Sequence, residues 1–469
     1  MKLLDVRPSV LRRALLGAFL LLVSLALRAQ EEPARFLLEK ITVEGPREAA
    51  GRIVRAETLL EEGGTYSEAE LGQAVARVHR LPFVLDADFS LHKGSTRGAY
   101  ELLIQVQEAR RFLFEHTVNF YSLAEPLNLD NSIGDADSWA VALPGLVGYR
   151  QFIGRSGVVF AALDSKEGLQ AGFTRYDLFG RGIVASVGYS GFFADICCAS
   201  EVLPYGLDPS FVYWNWTGSS RRLSLEVGVP LNRTDALRFD WSRRDGESSS
   251  RREVLGRFRE TGSFLDLADD VDVTLDRAEV KWVRDTSDDP LVPSRGFTVS
   301  GGLEWSAFET GLLRRITFED GVSTERLLPA QRSEQIAAVT SAARHWSITP
   351  RQTISGLSRL SLGQASLRNV PTTRGDGLSI GEDLGLFSGS LGLRHVVRLK
   401  RSRGAGGFGD TYLESQIEYG IESTSPDLRP ARASNPLERL ELSTGIVFRS
   451  VWGRLRLMLS YLDVGEVWR

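Results

Sequence analysis

Few side chains in this 469-residue chain are spaced for chemistry. Gly377-Leu-Ser-Ile-Gly381 has the spacing of a hydrolase serine turn. That reaction needs a strand running into the serine and a helix leaving it. No helical pattern follows Gly381, so the match is read as chance. The five histidines, at 79, 92, 116, 345 and 395, are isolated and lack the spacing that closes on a metal. Asp285, Asp288 and Asp289 offer oxygens to Ca²⁺, but without the ligand order of a calcium loop a solvated acidic turn is the plainer reading. Arg374-Gly-Asp376 is an adhesion tripeptide too short to carry weight, and Asn215-Trp-Thr and Asn232-Arg-Thr are bare glycosylation patterns. The two cysteines, Cys197 and Cys198, are adjacent, a poor geometry for a disulfide. The chain is therefore expected to be no enzyme and to hold no cofactor or metal.

What must position any site is a β-rich scaffold. The chain has 46 Gly, 23 Phe, 11 Tyr and 9 Trp, and is 42% hydrophobic. No apolar run after residue 29 is long enough for a transmembrane helix. Residues 1–29 place Lys2, Arg7, Arg12 and Arg13 before the apolar run Ala14 to Leu27, the pattern of a secretory signal, with cleavage expected after Ala26 or Ala29. This segment carries a surplus of four positive charges, so a formal charge of −4 becomes −8 beyond it. That balance argues against nucleic acid as a partner.

Residues 30–111 read as a small α+β domain. A strand from Phe36 to Val43 precedes a helix from Ala49 to Leu60, which Gly63-Gly64 should terminate. Ser67-Glu-Ala-Glu70 is a capping box opening a second helix with Leu71, Ala74, Val75 and Val78 on one face. Strands Phe83 to Leu91 and Tyr100 to Gln107 complete a β-α-α-β-β order.

Residues 112–469 alternate apolar and polar side chains in segment after segment. Leu237, Phe239 and Trp241 alternate with Arg238, Asp240 and Ser242, and Leu391 and Leu393 alternate with Ser390, Gly392 and Arg394. Period-two alternation marks strands with one apolar face. One face is nearly free of charge over many strands while aromatics sit near strand ends, as in a barrel set in lipid. Sixteen strands would take about 22 residues each, room for the roughly 9–11 that cross a bilayer and a connection. Two connections stand out: Tyr176-Asp-Leu-Phe-Gly-Arg-Gly182, and Asp285 to Gly296, where Pro290 and Pro293 exclude a helix and Gly296 starts the next strand.

The first domain, with Ile41-Thr-Val-Glu-Gly45, Gly64-x-Tyr66-Ser67, Leu81-Pro-Phe83-Val84 and Val106-Gln-Glu108, resembles a POTRA domain. Asp285-x4-Pro290-Leu-x-Pro293-x2-Gly296 resembles a periplasmic barrel turn of BamA-type proteins, and Leu178-Phe-Gly-Arg-Gly182 resembles another. Together they resemble the BamA-like outer-membrane assembly and secretion superfamily, also called the bacterial surface antigen type. The resemblance implies a mainly β fold: a transmembrane antiparallel β-barrel of about 16 strands behind one POTRA domain in the periplasm. It implies insertion or export of other proteins, with outer-membrane lipid and unfolded outer-membrane or secreted proteins as partners, and periplasmic chaperones or accessory lipoproteins beside them. A POTRA sheet edge would take a client strand; the domain as a plain spacer stays open. A barrel of the same ancestry acting as a structural or passive pore is the alternative function.

The superfamily also implies a lumen loop whose arginine meets a wall carboxylate. Arg374 and Gly375 are the candidates, without the flanking apolar residues of the motif, and a mobile polar loop is the other reading. Glu418 and Asp463 are candidate carboxylates. With Glu418, about four strands follow the loop where the superfamily has five. With Asp463, the chain would stop well before the superfamily's end. The first register is favoured.

Overall fold

The computed structural model describes residues 34–466 apart from 124–138, 143–144, 165–167, 206–207, 256–264, 290–292, 312, 320–321, 329–330, 370–381, 401–409, 426–433 and 451–452. The small domain contains β1 (Arg35–Glu44), α1 (Glu48–Glu57), β2 (Thr65–Ser67), α2 (Glu68–His79), β3 (Val84–Lys93) and β4 (Ala99–Glu108). Its sheet runs β2-β1-β4-β3, with β1 and β4 parallel. Leu38, Ile53, Leu71, Val78, Leu102 and Ile104 are fully buried between helices and sheet. The expected β-α-α-β-β order is present, with the three-residue β2 added between the helices.

The capping box forms as expected: Glu70 N–H donates to Ser67 Oγ at 3.2 Å and Ser67 N–H to Glu70 Oε2 at 2.8 Å. The end of the first helix differs. It stops at Glu57, where Thr58 Oγ1 donates to Arg55 O at 2.7 Å and Leu59 turns left-handed at φ +52°. A hydroxyl and a strained leucine end α1 before Gly63 is reached; Gly63 turns the chain back so that its N–H meets Leu38 O.

The strands that follow are β5 (Phe112–Leu123), β6 (Trp139–Ala142), β7 (Gly145–Ile153), β8 (Gly157–Asp164), β9 (Gly168–Leu178), β10 (Ile183–Tyr205), β11 (Asp208–Pro230), β12 (Asp235–Leu255) and β13 (Leu265–Asp285). Then come β14 (Gly296–Thr310), β15 (Leu313–Glu319), β16 (Val322–Leu328), β17 (Gln331–Thr349), β18 (Gln352–Asn369), β19 (Glu382–Lys400), β20 (Asp410–Ser425), β21 (Ser434–Ser450) and β22 (Gly453–Glu466). They close into a barrel. Direct pairings of β5 with β7 and of β14 with β17 carry the ring past β6, β15 and β16, so fifteen described strands form it, in keeping with the expected sixteen or so. The strands are longer than a bilayer crossing requires: β10 and β11 have 23 residues each. Length that a count of 22 per strand assigns to a further strand lies in these extensions and in the β15–β16 hairpin.

Neighbours around the ring are antiparallel except β22 and β5, which pair in parallel from Gly453↔Phe114 to Leu462↔Leu123. Parity requires this, because alternating strands in an odd ring meet in the same direction once. The alternation sorts the faces as expected. Leu237, Phe239, Val280, Leu303, Leu393 and Leu459 stand on the outer surface. On the inner face Lys281 bridges Asp240 and Glu279 at 3.2 and 2.9 Å, and Arg277 meets Glu304 at 2.8 Å. Cys197 and Cys198 fall at a register shift in β10.

Candidate functional site at the barrel mouth

The Asp285–Gly296 connection builds itself from its own polar residues. Asp285 Oδ1 accepts from Ser287 N–H at 2.9 Å, Ser287 Oγ at 2.6 Å and Thr298 Oγ1 at 3.1 Å. Asp288 Oδ1 accepts from the Ser294 and Arg295 amides at 2.8 and 3.2 Å, and its Oδ2 takes the Ser294 hydroxyl. Pro293 is buried beneath the turn; Pro290 lies outside the described residues. Gly296 has φ +98°, and a Cβ there would sit 2.4 Å from Thr286 O. Gly296→Ala should therefore cost about 1–3 kcal/mol, read as a lower denaturant midpoint with an unchanged slope.

The expectation that these acids face water fails for Asp285. Its Oδ2 lies 3.0 Å from Arg80 Nε at the end of α2, an ion pair with an angle short of a hydrogen bond. Arg80 Nη2 donates to Asp285 O and Ser287 O at 3.3 and 3.2 Å. Burial lowers the Arg80 pKa, and the Asp285 carboxylate opposes that shift. The turn is thus a socket for the small domain.

Further contacts surround it. Glu70, whose Oε2 caps α2, uses Oε1 to take Arg233 Nη1 from the β11–β12 turn at 3.1 Å. The Arg233 guanidinium lies 4.6 Å over the Tyr66 ring. The amide and hydroxyl of Ser67, with Arg233 beside them, hold the Glu70 carboxyl below its ordinary value despite burial. Arg150 of β7 donates to Pro82 O and Arg110 O, both at 2.8 Å, and Arg449 of β21 donates to Leu85 O at 2.5 Å. Phe83, fully buried, meets Phe152 of β7 and Tyr176 of β9 edge to face at 5.1 and 6.2 Å. The second glycine connection joins in, with Leu59 Cδ2 2.7 Å from where a Gly182 Cβ would stand. Nothing local in the sequence marked Arg80, Arg150, Arg233 or Arg449, because each acts on a partner far along the chain.

His79 is a titrating member of this contact. Its Nε2 lies 3.3 Å from Asp86 Oδ1 and 2.9 Å from Ala87 O. Burial opposes the imidazolium, but Asp86, Asp289 of the barrel turn and Ala87 O outweigh it, so the pKa is raised. A raised folded value contributes stability that is complete below the unfolded pKa and is lost as pH rises through the folded one. The thermal midpoint of the docked small domain should fall over that window, and His79→Gln should flatten the profile.

Arg374 and Gly375 lie outside the described residues, as does the Gly377–Gly381 motif. Glu418 is on the inner face of β20, where Gln416 Nε2 donates to it at 3.2 Å. Its cross-strand neighbour is Glu441. Asp463 pairs with Leu440 in the β22 ladder, and its side chain is outside the described residues. Four described strands, β19–β22, follow Arg374 along the chain.

No family model and no curated protein matches the chain. Solved structures similar to it include BamA from Haemophilus ducreyi lacking POTRA domains 1–3 (10% identity, TM-score 0.36, 92% of this chain and 81% of that one). Others are the beta domain of the Bordetella autotransporter BrkA (14%, 0.33, 59% and 92%) and the siderophore receptor PiuA from Acinetobacter baumannii (8%, 0.34, 91% and 71%). At these scores the likenesses carry no argument about activity. The barrel is established by its own pairing register.

Proposed function

We propose that this chain is an outer-membrane POTRA-barrel protein of the BamA-like superfamily that assists insertion or export of other proteins. The observation that carries the reading is the docking of a β-α-α-β-β-type domain on the barrel end that bears the Asp285–Gly296 turn. The outward apolar face fits outer-membrane lipid, and closure satisfies the backbone groups that lipid would leave unpaired. The small domain then lies in the periplasm. Its sheet ends on β3, which pairs with β4 on one side and with no described strand on the other. Beyond Ala87, where Arg449 and His79 already hold the Leu85 and Ala87 main chain, such an edge takes an extended client segment through main-chain hydrogen bonds. The work is binding and positioning, with no covalent step.

Depletion of the protein, followed by quantification of other outer-membrane proteins, tests this. Selective loss of some barrels or exported proteins is expected. Unchanged levels, with the protein itself fractionating to the outer membrane, would leave the passive barrel in place of the assembly role.

A further inference from the structure

The inner wall of β19–β22, at the small-domain end, concentrates positive charge in a chain that is acidic as a whole. The register stacks three rows there. Asp410, Arg449, Arg454 and Glu115 form the row nearest the small domain. Arg398, Tyr412, Val447 and Arg456 form the next, and Glu414 stands in the third. Glu414 is shared by Arg394 at 2.8 Å and Arg456 at 3.8 Å. Arg454 reaches Glu115 at 3.2 Å, while Asp410 accepts the Tyr412 hydroxyl at 2.9 Å. Five arginines thus face three carboxylates, an excess of two positive charges. Arg398 Nε and Arg456 Nε are buried without a hydrogen-bond partner. Those two atoms are sealed from the lumen, so an oxyanion on this wall would meet the outer guanidinium nitrogens, with charge assistance.

We propose that this wall is a binding site for a phosphate group, held by Arg449, Arg454 and Arg456. A phosphate brings close to two negative charges and several acceptor oxygens, which matches the excess better than a single carboxylate does. Guanidinium forks suit its geometry. The free space among the Arg394, Arg449, Arg454 and Arg456 heads is about 20 Å³, so the group seats on their lumen side rather than beneath them. Glu414 competes with the ligand for Arg456.

Calorimetric titration of the full-length protein in zwitterionic micelles, with sodium phosphate against sodium chloride at matched ionic strength, tests the site. Saturable heat with phosphate alone is expected. The double variant Arg454→Gln, Arg456→Gln should bind about tenfold more weakly or worse, and Glu414→Gln should bind more tightly. Heat-modifiable gel migration checks that both variants are folded. If either is not, phosphate protection of wild-type Arg454 and Arg456 from phenylglyoxal, read by peptide mass spectrometry, decides in its place. Equal response to chloride, unchanged affinity in the double variant or lack of protection overturns the proposal. Reconstitution separates two sources of the group. Phosphate binding lost in phosphatidylglycerol bilayers but kept in phosphatidylcholine identifies a lipid headgroup, and binding kept in both identifies a soluble phosphate.

Discussion

Phe83→Ala should destabilise the protein by about 3–5 kcal/mol and release the small domain from the barrel. The ring is fully buried and is shared between two bodies: it closes the core of the small domain and packs edge to face on Phe152 and Tyr176 of the barrel wall. Its removal leaves a cavity bounded by a domain that can move as a unit, so relaxation takes the form of undocking. Phe36→Ala is the control. Phe36 packs edge to face on Tyr100 at 5.3 Å within the small sheet. Limited proteolysis around residues 109–111 should accelerate in the Phe83 variant and stay slow in the control. Equal cleavage in both would show that Phe83 fills the small domain without fastening it.

The second large effect is expected at Arg77. Its Nη2 donates to Glu57 Oε1 at 2.6 Å and its Nε to Glu57 O at 3.0 Å, with 10% and 15% of the two side chains exposed. Burial raises the Glu57 pKa, and the Arg77 and Arg80 cations oppose the rise. Arg77→Ala strands that carboxylate, at a cost of about 3–5 kcal/mol. The loss has a direction in pH. An acid raised in the folded state contributes stability that is present below its unfolded pKa and lost as pH rises through the folded one. The variant should be closest to wild type in acid and fall away toward neutral pH. Glu57→Gln in the Arg77→Ala background should recover part of the loss; a deficit of equal size at acid and neutral pH would assign it to packing instead.

What could be read from the sequence was local. The capping box depends on two side chains three residues apart, and the strand faces depend on alternation, so both were legible. The Asp285–Gly296 turn was legible as a turn, since Gly296 and Pro293 state a backbone need. Its second role was not, because Arg80 lies 205 positions from the carbonyl it binds. The lumen wall failed to reveal itself for the same reason: Arg394 and Arg456 meet at Glu414 only through the register of four strands. The ring holds fifteen strands where about sixteen were expected; a bilayer alone fixes no number, since it sets the shortest crossing and no upper length, and β10–β12 exceed that crossing about twofold.

The parallel pair that closes the ring also orders the assembly of the barrel in time. Every other junction joins strands close along the chain, but Arg454 meets Glu115 across 339 positions. Contacts so distant bear the full entropy of loop closure before they return any stabilisation. Hairpins from β7 to β21 can form as neighbours find one another, whereas the β22–β5 junction must wait for all of them. The β22–β5 junction should therefore be the last to gain protection from hydrogen exchange as the barrel folds.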